Sequence, residues 1–379
     1  MPQWTVGPLQ YPKNSRLLPP GLSPTLYTAR KHAQANALVA SVNGFFLTHW
    51  PFKTDDQRQR FVNEGYAWFV CVNCPMSLDD RLHWGCRLLT LGFLIDDLLD
   101  RMNLSEGVAY NTKVIECGRG TAPDRNVPAQ WIMYDLFDEM RKVDRILADQ
   151  LLEQTIDFLK AQVDKDRHLH MELNEYFQYR DADLGKGLLS GIMRFCASLH
   201  MTPEELALAA PIEELAMKHI TFVNDIASFE KELLSAKEGF ELGAICSSVP
   251  IVMDMCEVGV REAKRMMWQM VRAWEIEHFV RCKVILKKHP SKALEKCFKG
   301  LEYQASGNEV WTLMTPRYRT PGEKGYEQRG AGTGAAVQLA ELSGKLLDTF
   351  KPSVGVGLVF CTLFSLVVML WLVVLVKQG

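Results

Sequence analysis

An apolar helix that carries several carboxylates is the feature that most restricts how this chain can fold. The stretch is Leu91–Met102, which reads LGFLIDDLLDRM. At about 100° per residue, Asp96 and Asp100 lie about 40° apart on one helix face, with Asp97 at their flank. Phe93 falls on the same face, one turn earlier. Because leucine and isoleucine fill most of the other positions, we expect this helix to be buried.

Carboxylates in such a setting need a partner. They repel one another at this spacing, and each is costly to desolvate unless it is protonated, paired or bound to a metal. A solvated acidic face is the ordinary alternative, but the apolar neighbours disfavour it. Since Mg²⁺ prefers carboxylates together with water and substrate phosphate, the stretch predicts a Mg²⁺ site.

A second helix face, further along the chain, offers three more oxygen ligands. In Val223–Leu233 (VNDIASFEKEL), Asn224, Ser228 and Glu232 follow one another at four-residue spacing. Helical rotation places an amide oxygen, a hydroxyl and a carboxylate on three successive turns, with Lys231 beside them. The alternative is a solvent-facing helix with polar pairs four residues apart, which the apolar residues around these positions disfavour. The spacing therefore predicts a second metal-binding face.

Two short segments add positive charge. Arg180 and Lys186 lie in YRDADLGK, and Arg317 and Tyr318 lie in PRYR. Each basic residue alone is an ordinary surface residue. Together with Lys231 they supply four cations and a phenol, which match a diphosphate of charge roughly −3 bound with Mg²⁺.

The periodicity of the chain predicts an all-α protein. From residue 23 to 319, helical patterns alternate with short breaks, without sustained alternation of polar and apolar residues. We divide the chain into an irregular N-terminal arm over 1–21, a catalytic body over 22–319, a linker over 320–352 with an amphipathic helix, and a transmembrane segment over 353–377. A loop is expected over Gly118–Val127 and a helix start at Thr202–Glu205. The predicted helices are Thr25–Phe46, Asp55–Val72, Leu78–Met102, Ala129–Lys165, Met171–Tyr179, Gly187–Leu199, Ile212–Ser235, Pro250–Lys287 and Leu294–Gly307.

The C-terminal region contains a long apolar segment. Val354–Val376 has 23 residues without a charge, between Lys351 and Lys377. As a helix it spans roughly 35 Å, enough to cross a bilayer with some tilt. Only Lys377–Gly379 follow it. We therefore expect a single-pass tail anchor, with the catalytic domain in the cytosol at the endoplasmic reticulum.

Composition and motifs exclude several other classes of protein. The net charge is −2 and no basic stripe is interleaved with aromatic residues, so nucleic acid is not an expected partner. The chain has ten cysteines, and the lone pair Cys71 and Cys74 is a weak signal for a zinc or redox site. Gly330–Gly334 lacks the strand and the full spacing of a dinucleotide-binding loop. His168 and His170 are interpreted as part of a surface turn.

Over Leu78–Arg319 the chain resembles the class I terpene cyclases, and among them the fungal aristolochene synthases. The resemblance implies a barrel of antiparallel α-helices around an apolar pocket. It also implies three Mg²⁺ ions that bind and ionise a prenyl diphosphate. The motifs that carry it are IDDLLD, GVAYNTKVIECGRGTAPDR (interpreted as a loop), IMYDLFDEMRKVDR, YRDADLGK, KHITFVNDIASFEKEL and GLEYQASGNEVWTLMTPRY.

The resemblance also implies a role for each site residue. Asp96 bridges two Mg²⁺ ions, with Asp97 and Asp100 in the outer shell or contributing weakly, and the residues Asn224, Ser228 and Glu232 chelate the third ion. Arg180 senses the diphosphate, and Lys186, Lys231, Arg317 and Tyr318 are its other donors. Phe93 and Trp311 line the pocket and stabilise carbocations.

The chain departs from the family pattern at two positions, of which residue 227 concerns the substrate and residue 100 is a mild change. Ala227 stands where a tyrosine is common in aristolochene synthases, and Asp100 stands where glutamate is usual. A small residue at 227, together with Gly92, would enlarge the pocket. We expect a sesquiterpene cyclase acting on farnesyl diphosphate, and the alternative is a diterpene cyclase acting on geranylgeranyl diphosphate.

Three further expectations complete the prediction. A chain-elongating prenyltransferase is disfavoured, because it would need a second aspartate-rich motif where this chain has NDIASFEKE. A non-catalytic, tail-anchored helical adaptor is a remote alternative, since it would have lost metal ligands that are intact here. The expected partners are the prenyl diphosphate and the membrane, and a homodimer is left open.

Overall fold

The computed structural model of the chain describes residues 6–13, 15–99, 102–163, 171–237 and 245–319. Within these ranges the chain forms twelve α-helices and one two-stranded antiparallel ribbon. The helices are α1 Ala35–His49, α2 Asp55–Glu64, α3 Tyr66–Asn73, α4 Leu82–Leu99, α5 Leu104–Gly118, α6 Pro128–Ala161, α7 Leu173–Asp183, α8 Lys186–Cys196, α9 Pro203–Lys237, α10 Ser248–Cys256, α11 Val260–Lys288 and α12 Lys292–Met314; the strands are β1 Val6–Pro8 and β2 Arg30–His32, and a 3-10 turn covers Pro316–Tyr318.

Helix α4 is buried, as its sequence predicts. Leu88, Leu91 and Ile95 are almost completely excluded from solvent, and α4 packs against α3, α6 and α8. Gly85 permits the approach of α8, because a Cβ atom at this position would lie 2.7 Å from the Cys196 Sγ. The carboxylates therefore lie near the end of a rigid core helix.

Helix α9 is longer than predicted. It begins with a capping box in which the Glu205 N–H donates to the Thr202 hydroxyl at 3.2 Å, and the Thr202 N–H donates to the Glu205 carboxylate at 2.9 Å. The helix then continues through Pro211, which directly precedes the predicted helix Ile212–Ser235. Packing against α11 and α12 supports this helix and holds its predicted metal-binding face in place.

Three predicted elements differ in the structure. Gly65 has φ +70° and divides the predicted helix Asp55–Val72 into α2 and α3. Glu257 has φ +53° and separates α10 from α11. Residues 107–118, which we interpreted as part of a loop, belong to α5, because Asn103 and Glu106 build a capping box at its start.

The N-terminal arm lies against the helical body. β1 pairs with β2, and the ribbon is too short for the periodicity of the sequence to reveal it. The Trp268 indole N–H of α11 donates to the Leu17 carbonyl at 2.8 Å, and the Arg272 Nε donates to the Ser23 carbonyl at 3.1 Å. The arm is thus fixed along α11 by hydrogen bonds to its backbone.

The helical fold is confirmed, but the predicted membrane localisation is wrong. Among the described residues, no helix is long and apolar enough to cross a bilayer. The long helices α6, α9 and α11 carry charged residues along their length, whereas a spanning helix needs about 20 predominantly apolar residues. The apolar segment 354–376 and the helix predicted in the linker lie outside the described residues.

Candidate active site

The two predicted metal-binding faces meet at the 3-10 turn. The Arg317 Nη2 lies 3.3 Å from the Asp97 Oδ1 and 3.6 Å from the Asp96 Oδ2. The next residue, Tyr318, accepts a hydrogen bond at its hydroxyl from the Asn224 Nδ2 at 2.9 Å. Consecutive residues therefore contact α4 on one side and α9 on the other, so the two faces belong to one site.

The carboxylates of α4 remain accessible. The side chains of Asp96 and Asp97 are 29% and 32% exposed, although the helix below them is buried. This partial exposure allows a hydrated cation to reach both carboxylates. Asp100, the third predicted carboxylate ligand, lies outside the described residues.

The oxygen ligands of α9 lie on successive turns. The Ser228 Oγ donates to the Glu232 Oε1 at 2.6 Å, and Asn224 lies one turn before Ser228. An amide oxygen, a hydroxyl and a carboxylate are hard donors of the kind that Mg²⁺ prefers. This face and the aspartates of α4 therefore fit a site for hard divalent cations.

Arg180 is a buried cation beside the α9 face. Its Nη2 donates to the Asn224 Oδ1 at 3.2 Å and to the Asp225 Oδ1 at 3.0 Å, and Asp183 pairs with Nη1. Burial lowers the pKa of the guanidinium, but Tyr176 and these carboxylates outweigh that effect and hold the pKa well above its ordinary value. Arg180 is therefore charged and fixed in direction toward Asn224.

The two predicted lysines are less closely tied to the site. Lys186 forms an ion pair with Asp181 at the start of α8, and its side chain is 30% exposed. Lys231 is half-buried on α9, between Ser228 and Glu232 in sequence. The structure places both next to the elements that carry Arg180 and the α9 ligands.

Four aromatic rings pack against one another and form what we call the aromatic wall: Tyr66, Phe69, Phe93 and Trp311. The ring centroids of Phe93 and Trp311 are 5.9 Å apart, and Phe69 meets Trp311 edge-on at 4.8 Å. Tyr66 stacks on Phe93 at 4.4 Å with an interplanar angle of 12°. The Arg317 guanidinium carbon lies 5.4 Å from the Phe93 ring centroid. Charged and aromatic parts of the site therefore share one boundary.

Sequence reasoning missed several residues here. Glu64 and Tyr66 both contact Arg317, and Asp225 accepts hydrogen bonds from Arg180 and the Tyr176 hydroxyl. Asp225 lies inside the predicted α9 motif, but its supporting role becomes apparent only from its complete burial in the structure. Glu64 and Tyr66 flank Gly65 in the sequence NEGYAWF, which carries no recognisable spacing.

A second buried cluster is an ion-pair network rather than a metal site. His219, Glu275 and Glu309 lie close enough to share an ion. However, Arg272 donates to Glu309 at 2.6 and 3.0 Å and pairs with Glu275, so the two carboxylates already share a buried counter-charge. Burial raises the pKa of Glu309, but hydrogen bonds from His219 and Arg272 outweigh it and lower the pKa to about 2. The Tyr11 hydroxyl also donates to Glu309, which joins the arm to α9, α11 and α12.

The remaining sequence motifs do not add to the site. Cys71 and Cys74 are buried, and burial raises the pKa of the Cys74 thiol well above its ordinary value, which disfavours the thiolate that a metal would need. His168 and His170 lie outside the described residues, as does Gly330–Gly334.

The helical fold and the site together define a class I terpene synthase. Residues 87–276 match the family described as "Terpene synthase family 2, C-terminal metal binding". The chain is 41% identical to aristolochene synthase of Aspergillus terreus over 80% of its own length and 95% of that protein. It is 42% identical to (+)-aristolochene synthase TS1 of Penicillium expansum, over 76% of this chain and 88% of that protein. The chain belongs to the terpene synthase family.

Solved structures agree with this assignment. The crystal structure of aristolochene synthase from Penicillium roqueforti matches with a TM-score of 0.71 and 37% identity, covering 78% of this chain and 99% of that one. Hedycaryol synthase in complex with nerolidol matches with a TM-score of 0.62 at 15% identity, which shows the shared fold alone.

The expected enzyme class and activity are thereby confirmed. The chain is a sesquiterpene cyclase that acts on farnesyl diphosphate, a prenyl diphosphate substrate. The family description also implies dependence on a divalent metal. These similarities support neither the membrane association nor the homodimer considered from the sequence.

Proposed function

We propose that this cyclase uses Mg²⁺, held between α4 and α9, to ionise farnesyl diphosphate beside the aromatic wall. The single observation that carries the proposal is the position of Arg317 and Tyr318. These consecutive residues contact Asp96 and Asp97 on one side and Asn224 on the other. A diphosphate bound at this turn would contact both sets of metal ligands and a fixed cation.

The metal ligands divide between the two helices. Asp96 and Asp97, with Asp100, would hold metal ions on the α4 side, and the residues Asn224, Ser228 and Glu232 would hold one on the α9 side. Three ions in total are expected. Mg²⁺ held by these residues would neutralise the developing charge on the diphosphate and would so make it a better leaving group.

The protein cations supply the remaining stabilisation of the leaving group. When the allylic C–O bond breaks, its electron pair leaves with the diphosphate oxygen, and a carbocation remains. Arg180 and Arg317 are held in place by buried carboxylates before substrate binds, so little reorganisation is needed. Tyr318, Lys186 and Lys231 are proposed as further donors to the diphosphate.

The aromatic wall would then stabilise the carbocation. Phe93 and Trp311 present their rings beside the diphosphate site, and the face of an aromatic ring attracts a cation. Ring closure follows when a double bond of the substrate donates its electrons to the cationic carbon. The final carbocation loses an adjacent proton, for which the released diphosphate is the nearest base. Exclusion of water prevents capture of the cation as an alcohol.

Two small residues that suggested a longer substrate leave little extra room. A Cβ atom on Gly92 would lie 3.4 Å from the Phe158 ring, so that ring fills the space beside Gly92. Ala227 is 1% exposed and packed within the hydrophobic core. Both observations favour the C15 substrate over geranylgeranyl diphosphate.

Substrate length and metal dependence are tested together. The full chain is incubated separately with the C10, C15 and C20 diphosphates, with Mg²⁺ or with EDTA, and the products are identified by gas chromatography and mass spectrometry. We expect cyclic C15 hydrocarbon from farnesyl diphosphate with Mg²⁺, at least about 100-fold less with EDTA, and little product from the other lengths. A preference for the C20 substrate, or turnover that persists in EDTA, would contradict the proposal.

Phe93→Ala is expected to change the products more than the rate. Without the ring, the carbocation loses stabilisation of about 1–2 kcal/mol, so diphosphate release persists while the cyclisation pathway branches earlier. Diphosphate release and the product profile are measured side by side. Phe279→Ala removes a 40% exposed ring of α11 and serves as the control. An unchanged product profile in Phe93→Ala would remove this ring from the carbocation site.

A further inference from the structure

Glu64 is a buried carboxylate beside the proposed active site, and no predicted motif includes it. It is the last residue of α2, and Gly65, with φ +70°, turns the chain into α3. Only 3% of Glu64 is exposed. Because a buried carboxylate must be paired or hydrogen-bonded, its partners indicate its role.

The backbone carbonyl of Glu64 fixes the end of α12. It accepts a hydrogen bond from the Trp311 indole N–H at 3.0 Å and another from the Thr315 hydroxyl at 3.1 Å. Trp311 belongs to the aromatic wall, and Thr315 directly precedes the 3-10 turn. The junction between α2 and α3 therefore sets the position of both.

The carboxylate of Glu64 holds one edge of Arg317. The Arg317 Nη1 donates to the Glu64 Oε2 at 3.1 Å and to the Tyr66 hydroxyl at 2.6 Å. Tyr66 in turn donates to the same Glu64 carboxylate. The opposite edge, Nη2, faces Asp96 and Asp97. The guanidinium is thus fixed from behind, with its other edge directed toward the metal-binding carboxylates.

The negative charges around Arg317 outnumber its single positive charge. Burial lowers the pKa of Arg317, but Tyr66, Asp97 and Glu64 outweigh it and keep the guanidinium charged. One positive charge is shared among the carboxylates of Glu64, Asp96 and Asp97. The excess negative charge favours cations, and Glu64 at the same time weakens the attraction of Arg317 for an anion.

We propose that Glu64 is the positioning residue for Arg317 during ionisation and diphosphate release. It holds the guanidinium with one edge turned to the diphosphate, and its charge moderates the affinity of that cation for the leaving group. The inference rests on the proposed function, because it requires Arg317 to be a diphosphate donor.

Glu64→Gln separates this role from a structural one. Glutamine keeps the backbone carbonyl and an acceptor oxygen, but it removes the charge. We expect inorganic diphosphate with Mg²⁺, measured by calorimetry, to bind about tenfold more tightly to the variant. We expect kcat to fall about tenfold, because Arg317 is less well fixed and diphosphate leaves more slowly. A carboxylate needed only for folding would instead weaken diphosphate binding and raise KM.

Two comparisons make the result specific. Glu302→Gln is the matched control: Glu302 is also buried, at 5% exposure, and pairs with Lys299 at 2.8 Å, but it lies outside the proposed site. It should bind diphosphate as the parent does. In an Arg317→Gln background, Glu64→Gln should no longer tighten diphosphate binding, because the effect passes through Arg317.

The outcomes distinguish this inference from the proposed function. Parental or weaker diphosphate binding by Glu64→Gln would overturn the positioning role, and so would an equal tightening in the Arg317→Gln background. If the parent itself neither bound diphosphate nor converted farnesyl diphosphate, the proposed function would fail instead.

Discussion

Replacing Asp96 with asparagine is expected to lower kcat/KM for farnesyl diphosphate at least about 1,000-fold while the fold persists. Asparagine keeps the size and one oxygen of the side chain, but it removes the negative charge that a hard divalent cation needs. The Asp96 side chain is 29% exposed and lies 3.6 Å from Arg317, so the loss of its charge should cost little stability. Steady-state turnover with Mg²⁺ and the urea unfolding midpoint are measured together.

Two further variants test whether the loss of turnover is specific to the proposed metal ligands. Asp56→Asn changes an aspartate in the first turn of α2, which is exposed, and should leave turnover at the parental rate. Asn224→Ala removes a proposed ligand from the facing helix and should show a loss similar to that of Asp96→Asn. Turnover of Asp96→Asn within about tenfold of the parent would mean that Asp96 does not hold a metal ion needed for ionisation.

Replacing Arg272 with methionine is expected to lower the free energy of unfolding by about 3–5 kcal/mol. Methionine fills much of the same volume, but it leaves the buried carboxylates of Glu275 and Glu309 without their main counter-charge. It also removes the hydrogen bonds from Arg272 to the Tyr11 hydroxyl and the Ser23 carbonyl. Urea unfolding at neutral pH, followed by circular dichroism, measures the loss.

The control lies on the same helix. Arg261 pairs with Glu262 at 2.9 Å, but its side chain is 82% exposed, so Arg261→Met should change stability by less than about 1 kcal/mol.

The pH dependence of the free energy of unfolding provides a second check. The folded-state pKa of Glu309 is lowered to about 2, so its contribution to stability is present at neutral pH and is lost as the pH falls from about 4.5 toward 2. The difference between parent and Arg272→Met should therefore narrow below pH 4.5, and a difference that stays constant would contradict this account of the cluster.

The sequence predicts the two metal-binding faces because their chemistry is local. Asn224, Ser228 and Glu232 repeat at the period of a helix, and the aspartates of α4 stand in an apolar stretch, so each face can be deduced within a dozen residues. The existence of most helices can be predicted for the same reason, since their apolar residues also repeat locally. The exact breaks at Gly65 and Glu257 are not, because a single residue of positive φ interrupts an otherwise continuous helical pattern.

The supporting residues could not be predicted in this way. Glu64 contacts Arg317 from 253 positions away in the chain, and Tyr11 contacts Glu309 from 298 positions away. No periodicity connects residues at such separations, and only the packing of the helices brings them together. The role of Arg180 as diphosphate sensor is implied by the family resemblance, whereas the hydrogen bond that fixes it to Asp225 is visible only in the structure.

The hydrogen bond from Arg16 to the Tyr318 carbonyl, at 3.0 Å, joins residues 302 positions apart. During synthesis, the arm emerges before the helices of the body and the 3-10 turn emerges after them. A nascent chain that ends before Arg317 therefore lacks both Arg317 and the Tyr318 carbonyl that accepts the hydrogen bond from Arg16. Closure over such a distance is slow, because the intervening chain must be ordered first. Catalytic competence should consequently arise only after the segment that carries Arg317 and Tyr318 has been made and has packed against the arm.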